Sequence, residues 1–389
     1  MNVKSNLNKL SEDWADLKEV ILYGFGKEGI KNFDKIARDF RVKCIIDNDI
    51  SKTDTCYKGI PVLSMEDAKE KLKSYKIIVM TASRAYRSIA VSLMEKGLSE
   101  YENFCGLEQF TVEWYWKYRN QINIFEIHQA LTTRCTLNCR NCNMFIPYYT
   151  ETHDYSFEEI KEDLDSLFRR IDFIFNYELL GGEPFLNKDL MPILQYMIRR
   201  YKSRIGHIGI ITNGTVIPKP ELLNFIKENN IGISISDYSN VVHYQNTLNT
   251  FIEKLSERKI DFLISKEMVW RDFGFPDKKY YFNNVREHML NCGPVFHGLN
   301  DKKLYFCHVS WSAEKCGLIQ LDNDEFISLE DVDERDDEER KKMAEYSLGF
   351  WKKGYLDMCR ICGGCGVDNE HLISAGIQAG RMEARCDCG

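Results

Sequence analysis

Residues 121–142 read QINIFEIHQALTTRCTLNCRNC. The first half is rich in Ile and Phe and reads as a β-strand. It runs straight into Cys135-Thr-Leu-Asn-Cys139-Arg-Asn-Cys142, so three thiols sit on a loop at a strand's C-terminal end. Three thiolates within eight residues can converge on one metal centre. A structural zinc site usually closes with four ligands, and the nearest further donor, His153, lies eleven residues on. Three fixed ligands leave one coordination position for something else, and iron-sulfur clusters are held by Cys thiolates in this way.

Downstream, Ser156 to Glu159 forms a capping box that opens a helix, and DFIFNYELL reads as a strand running into Gly181-Gly182-Glu183-Pro184. Further β-then-α units follow: HIGIITNG, a helix from Pro220 to Asn229, IGISISDYS, a helix near Thr247 to Arg258, and IDFLIS. Repeated βα units predict an α/β fold, a full or partial (β/α) barrel, with the active site at the C-terminal strand ends. Polar residues at those ends, Thr212-Asn213-Gly214 and then Ser234, Ser236 and Asp237, serve equally as ligand contacts or as turn formers.

The motif C-x-x-x-C-x-x-C after one strand and GGEP after the next resembles the radical S-adenosylmethionine (SAM) superfamily, over roughly residues 120–285. The resemblance implies that Cys135, Cys139 and Cys142 hold a [4Fe-4S] cluster whose fourth iron chelates the amino and carboxylate groups of SAM. It places Gly181, Gly182, Glu183 and Pro184 at the methionyl amine, and Asn213, Ser234 and Ser236 at the ribose. It also implies reductive cleavage of SAM to a 5′-deoxyadenosyl radical that removes hydrogen from an unactivated C–H bond, with an electron donor such as flavodoxin or ferredoxin. One departure is Asn141, where the family usually has an aromatic residue that stacks on the adenine.

The C-terminal quarter holds a second set of cysteines. Cys292 and Cys307 are separated by 14 residues, and 51 more lead to Cys359-Arg-Ile-Cys362-Gly-Gly-Cys365. The arrangement resembles the twitch and SPASM extensions of radical SAM enzymes. The twitch pattern assigns Cys292, Cys307, Cys359 and Cys362 to one auxiliary [4Fe-4S] cluster. Eight C-terminal cysteines would suffice for two, but the spacing Cys362-x-x-Cys365 and the pair Cys386-x-Cys388 depart from SPASM, so one is expected. Structural zinc is the alternative, with His297 or His308 near enough to complete a site. An auxiliary cluster would accept an electron from the substrate radical and give an oxidised product. A thiol such as Cys316, Cys365, Cys386 or Cys388 would instead return hydrogen and give an epimer. No catalytic base is identifiable.

At the other end, EVILY leads into Gly24-Phe-Gly26-Lys-Glu-Gly29, then a helix and a second apolar run ending at Asp47. This strand-turn-helix context is that of a dinucleotide fingerprint, in which the glycines admit a diphosphate and Asp47 binds a ribose hydroxyl. The segments GIPVLS, a charged helix from Met65 to Ser74, and YKIIVMTAS continue a small parallel sheet. The region resembles small Rossmann-like domains attached to sugar-modifying enzymes. That resemblance implies a nucleotide-sugar or sugar-phosphate handle, and the alternative is a glycine-rich turn without a ligand.

Three parts result: a Rossmann-like domain over 1–115, a radical SAM partial (β/α) barrel over 116–285 and a twitch/SPASM-like domain over 286–389. The net charge of −7 on 389 residues lacks the basic footprint of a nucleic-acid binder. No run approaches the ~20 apolar residues of a membrane span, and the charged start is no secretory peptide, so the expected location is the cytoplasm. Fourteen cysteines in a reducing compartment point to metal or redox chemistry. The expected substrate is a small molecule of sugar type, free or nucleotide-linked, which is oxidised or epimerised. The rivals are a peptide-modifying maturase and a non-catalytic, zinc-bound scaffold.

Overall fold

In the first part, strands with runs of consecutive apolar residues become the middle of a sheet covered on both faces. The computed structural model describes residues 6–81, 83–292, 296–330 and 336–380. Its first sheet comprises β1 (Glu19–Tyr23), β2 (Arg41–Ile46), β3 (Thr55–Tyr57), β4 (Ile60–Leu63), β5 (Lys76–Val79) and β6 (Phe104–Gly106). The order is β3-β4-β2-β1-β5-β6, parallel except for the hairpin edge β3. Along β1, Val20 and Leu22 enter one apolar cluster and Ile21 and Tyr23 the other, which is the two-residue period of a strand buried on both sides. Helix α1 (Lys27–Ala37) starts at Gly26 and covers one face; α2 (Ser83–Glu95) follows β5.

The stretch from Met65 to Ser74 is a run of turns rather than a helix. Its backbone bonds span three residues, as in Lys71 N–H to Ala68 O and Ser74 N–H to Lys71 O. Ala68 and Leu72 are buried here and Met65 packs partly against the same core, so the charged residues between them gain little from a longer helix.

The aromatic join over 107–119 is helical, with a π turn at Phe110–Trp114. Phe110, Trp114 and Tyr115 share a cluster with Phe175 of the next sheet, which fixes the first sheet to the second. That second sheet holds β7 (Asn123–Thr132), β8 (Phe173–Gly181), β9 (Ile208–Thr212), β10 (Gly232–Asp237) and β11 (Phe262–Lys266), all parallel. A short β12 (Val269–Arg271) follows. Then β13 (His297–Asn300) adds in parallel on the far side of β7, with β14 (Lys303–Tyr305) and β15 (Phe326–Ser328) antiparallel beyond it. Finally β16 (Leu372–Ser374) pairs with β12. The sheet runs from β11 to β15 without closing, an open arc. Between β7 and β8, Ser156 caps the helix Phe157–Phe168 with the expected box: Ser156 N–H donates to Glu159 Oε2 (2.8 Å) and Glu159 N–H to Ser156 Oγ (3.4 Å).

The concave face of β7 and β8 carries Glu126, His128, Asn176 and Glu178. Helix α1 reaches this floor. Lys31 Nζ lies 2.5 Å from Glu178 Oε1 and 3.9 Å from Glu126, and Lys35 Nζ donates to Asn176 Oδ1 (2.7 Å) and Asn32 Oδ1 (2.8 Å). Burial lowers the Lys35 ammonium to about 7. The first domain thus docks on the second through buried polar groups as well as aromatics.

Candidate active site

The three-cysteine loop leaves β7 at Thr132 and is fixed by its neighbours before any metal is considered. Gly182 N–H donates to Thr132 O (2.8 Å) and Glu183 N–H to Arg134 O (2.8 Å), which ties the loop to the end of β8. A Cβ on Gly182 would lie 2.0 Å from Arg134 O, so only glycine permits this approach. The thiols of Cys135, Cys139 and Cys142 face a cavity of about 510 Å³ at the C-terminal strand ends.

Each sulfur is met by N–H donors. Cys135 Sγ accepts from Leu137 N (3.4 Å) and Asn213 Nδ2 (3.5 Å), Cys139 Sγ from Gln378 Nε2 (3.1 Å), and Cys142 from the backbone of Met144, Phe145 and Ile146. Burial pushes the Cys135 thiol up to about 12 and Cys139 and Cys142 to about 11. The side chains are therefore neutral thiols that must release protons on taking a metal.

The same cavity is lined by Cys292, Cys307, Cys359, Cys362 and Cys365. The four cysteines expected from sequence are thus brought together, and Cys365 joins them. Cys292 and Cys365 touch, Sγ to Sγ 3.7 Å, with Cys365 N–H also directed at Cys292 Sγ (3.4 Å). Their contact pulls the Cys292 thiol down to about 7 and pushes Cys365 up. Cys316 is outside this group, its Sγ 3.5 Å from Ala313 O. Cys386 and Cys388 lie outside the described residues.

Spacing bears on which metal fits. Tetrahedral zinc with Zn–S near 2.3 Å needs sulfurs about 3.8 Å apart. Among the described residues, the one set of three metal-capable side chains with every ligand atom within 4.8 Å of the others is Asp322, Glu325 and Asp357. Lys353 Nζ already lies 3.0, 3.4 and 2.6 Å from those three. Cys292 and Cys365 stand at that spacing, but among the described residues no three of the cysteines lie within 4.8 Å of one another, which suits a cluster of several irons better than a single zinc. His297 offers no ligand, since both ring nitrogens face backbone carbonyls, Phe306 O (3.0 Å) and Ser347 O (3.1 Å). His308 lines the cavity beside His128, whose Nε2 lies 2.8 Å from Glu126 Oε1.

The other expected contacts divide. Gly181, Gly182, Asn213 and Ser236 line the cavity. Glu183 is fully buried and turned to β9, accepting from Thr212 Oγ1 (2.8 Å), Asn213 N–H (2.9 Å) and Phe185 N–H (3.2 Å), so it holds the wall. Burial raises its carboxyl to about 7. Pro184 opens a short 3-10 helix behind it. Ser234 is half-buried on β10, two residues before Ser236 on the same face.

In the first domain, Gly24, Gly26 and Gly29 form the β1–α1 turn, and Gly24 sits at φ +115°. The Asp47 carboxylate accepts from Phe25 N–H (2.6 Å) and Asp49 N–H (2.8 Å), with Lys52 at 3.7 Å. The residues lining the active-site cavity begin at His128, so this turn is not part of it.

Residues 130–269 match the Radical SAM superfamily. The superfamily's cofactors are SAM and a [4Fe-4S] cluster, and the donor set above suits them. No curated protein matches the chain. Among solved structures it is similar to native anSMEcpe with bound AdoMet and peptide, at 16% identity and TM-score 0.30, over 37% of this chain and 44% of that one. SuiB from Streptococcus suis bound to S-adenosylmethionine gives 14%, 0.24, 51% and 64%. RSP in complex with beta-NADH gives 14%, 0.20, 27% and 60%. The chain thus spans less than half the length of the first of these. No described helix is long and apolar enough to cross a membrane.

The sequence did not single out Gln378, and it offered Cys365 as a free thiol that would return hydrogen rather than as a member of the auxiliary group. Cys365 carried a signal, the third member of a C-x-x-C-x-x-C run; Gln378 carried none.

Proposed function

We propose that the protein is a radical SAM enzyme that takes a hydrogen atom from a substrate held between its two cysteine groups. The observation that carries this reading is the single cavity onto which Cys135, Cys139, Cys142 and the five C-terminal cysteines all face. Bound there, SAM on a [4Fe-4S] cluster would supply a radical able to break an unactivated C–H bond, and an auxiliary cluster on Cys292, Cys307, Cys359 and Cys362 an acceptor for the second electron. The chain's own residues hold and enclose. Asn213 and the backbone after Cys142 fix the loop sulfurs, Gly181 and Gly182 leave room beside them, and Leu137, Met144 and Ile146 keep water from the wall.

The test is iron and sulfide content with anaerobic SAM cleavage, on the reconstituted protein and a Cys135/Cys139/Cys142→Ala variant. About eight irons per chain, falling by about four in the variant with loss of 5′-deoxyadenosine, is the expected result. Zinc without sulfide, and no SAM cleavage, would overturn it.

Two substrate classes remain in view. A sugar-type substrate with a nucleotide handle rests on the glycine turn of the first domain, whose acidic partner Asp47 is engaged by its own backbone and which lies away from the cavity. An extended peptide has one observation in its favour. Among the described residues strand β11 pairs on one side only, and Leu263, Ile264, Met268 and Val269 stand exposed beside Glu267 and Trp270 of the cavity. Such an edge accepts an added strand. Stimulation of 5′-deoxyadenosine formation by peptides and not by nucleotide-sugars would decide for the second class, the converse for the first.

A further inference from the structure

The last described residues run back across the cysteine loop. After β16, the chain continues antiparallel to Asn138–Arg140: Arg140 N–H donates to Ile377 O (2.7 Å) and Ala379 N–H to Asn138 O (2.6 Å). Between these bonds, Asn138 N–H donates to the side-chain oxygen of Gln378 (2.7 Å). That bond fixes which way the amide points, because the oxygen must face the N–H of Asn138. The Gln378 NH2 group then has two acceptors, Gly376 O at 2.7 Å and Cys139 Sγ at 3.1 Å, and both of its hydrogens are used. Gly376 allows the close turn, at φ +73° and against Tyr238. Cys139 is 6% exposed beneath this segment.

The donors to Cys135 and Cys142 come from the barrel domain itself, whereas the donor to Cys139 arrives from 239 residues further along the chain. A hydrogen bond to a ligating thiolate draws charge off the sulfur, which favours the more negative, reduced state of a cluster and raises its potential.

We propose that Gln378 is a positioning residue that sets the reduction potential of the cluster on Cys135, Cys139 and Cys142, so that the C-terminal segment controls how readily the initiating electron enters. The proposal rests on the reading that these three cysteines hold a cluster. The carboxamide donates to Cys139, orders the loop through Asn138 and keeps water from the sulfur.

The experiment is an EPR-monitored redox titration of the full-length, reconstituted protein and its Gln378→Leu and Gln378→Glu variants, following the signal that changes on adding SAM. Gln378→Glu keeps an oxygen for Asn138 N–H and loses the donors to Cys139 Sγ and Gly376 O while adding a negative charge, and the neutral Gln378→Leu separates loss of the donor from that charge. The expected result is unchanged iron content with a midpoint shifted to lower potential in Gln378→Glu, and in Gln378→Leu where its iron is retained. A wild-type midpoint in an iron-replete Gln378→Glu variant would overturn the proposal while leaving the cluster reading intact. A wild-type protein with no SAM-responsive signal would overturn both.

Discussion

The glycine turn of residues 24–29 and the cysteine loop of residues 135–142 occupy equivalent places: each leaves the C-terminal end of a parallel strand in the middle of its sheet. They differ in what fills them. In the glycine turn a Cβ on Gly24 would meet Thr81 at 2.6 Å, and one on Gly29 would meet Gly24 O at 2.0 Å. The acidic residue that would receive a ribose is bonded to two backbone N–H groups of the neighbouring loops. In the cysteine loop the backbone is just as tightly held, by Thr132 and Arg134, but the side chains are turned into open space and their sulfurs keep unused coordination capacity. A motif's spacing says where the backbone goes. Whether a ligand fits depends on how much bonding capacity the fold has left over.

The largest effects should come from adding one methyl group to each loop. Gly29→Ala and Gly182→Ala both place Cβ 2.0 Å from a carbonyl oxygen, of Gly24 and Arg134 respectively. Each should cost about 3 kcal/mol of stability, seen as a lowered melting temperature. The comparison lies in the second readout. Gly182→Ala displaces Arg134 and with it Cys135, so iron per folded chain should fall by about four, the content of one cluster. Gly29→Ala should leave iron per folded chain unchanged. Equal iron loss in both would mean that the two loops are not independent.

A smaller effect probes the joint between the two regions. Burial on the barrel floor lowers Lys35 from 10.5 to about 7. Between those values the unfolded chain holds a proton that the folded chain does not, so stability should rise as pH rises from about 7 to 10 and be flat below that window. The gain is of the order of a few kcal/mol. Denaturant unfolding at pH 7 and pH 9.5 should show the slope in the wild type and a much weaker one in Lys35→Met. An equal slope in both would place Lys35 in water, and the docking of α1 on Asn176 would be wrong.

The two loops also mark what a sequence can show. The cysteine loop, the GGEP turn and the Ser156 capping box were legible because their partners lie within a few residues, where spacing alone fixes geometry. The five C-terminal cysteines were legible as a group, because thiols seldom crowd without a reason. Lys31 and Lys35 were not, since on α1 they look like an ordinary solvated face; only the docked barrel, with Glu178 and Asn176, makes them interior. Gln378 meets Cys139 across most of the chain, and no local pattern predicts that pairing. Met65 to Ser74 misled because charged, helix-favouring residues suggest a helix that two core anchors do not sustain.

The smallest expected effect bears most directly on the glycine turn. Asp47→Asn exchanges one acceptor oxygen for an NH2 group, which leaves Phe25 N–H or Asp49 N–H without its partner and should cost about 1 kcal/mol. A ligand at a hundred times its dissociation constant adds about 2.7 kcal/mol to the state that binds it. A nucleotide-sugar or dinucleotide held at the turn would therefore be plain in a thermal-shift assay, even against the variant's loss. The filled turn predicts no shift in either protein. A shift in the wild type that disappears in Asp47→Asn would show that the carboxylate gives up its backbone donors for ribose hydroxyls. The glycine turn would then be a second open loop, and the sugar-type substrate would gain its handle.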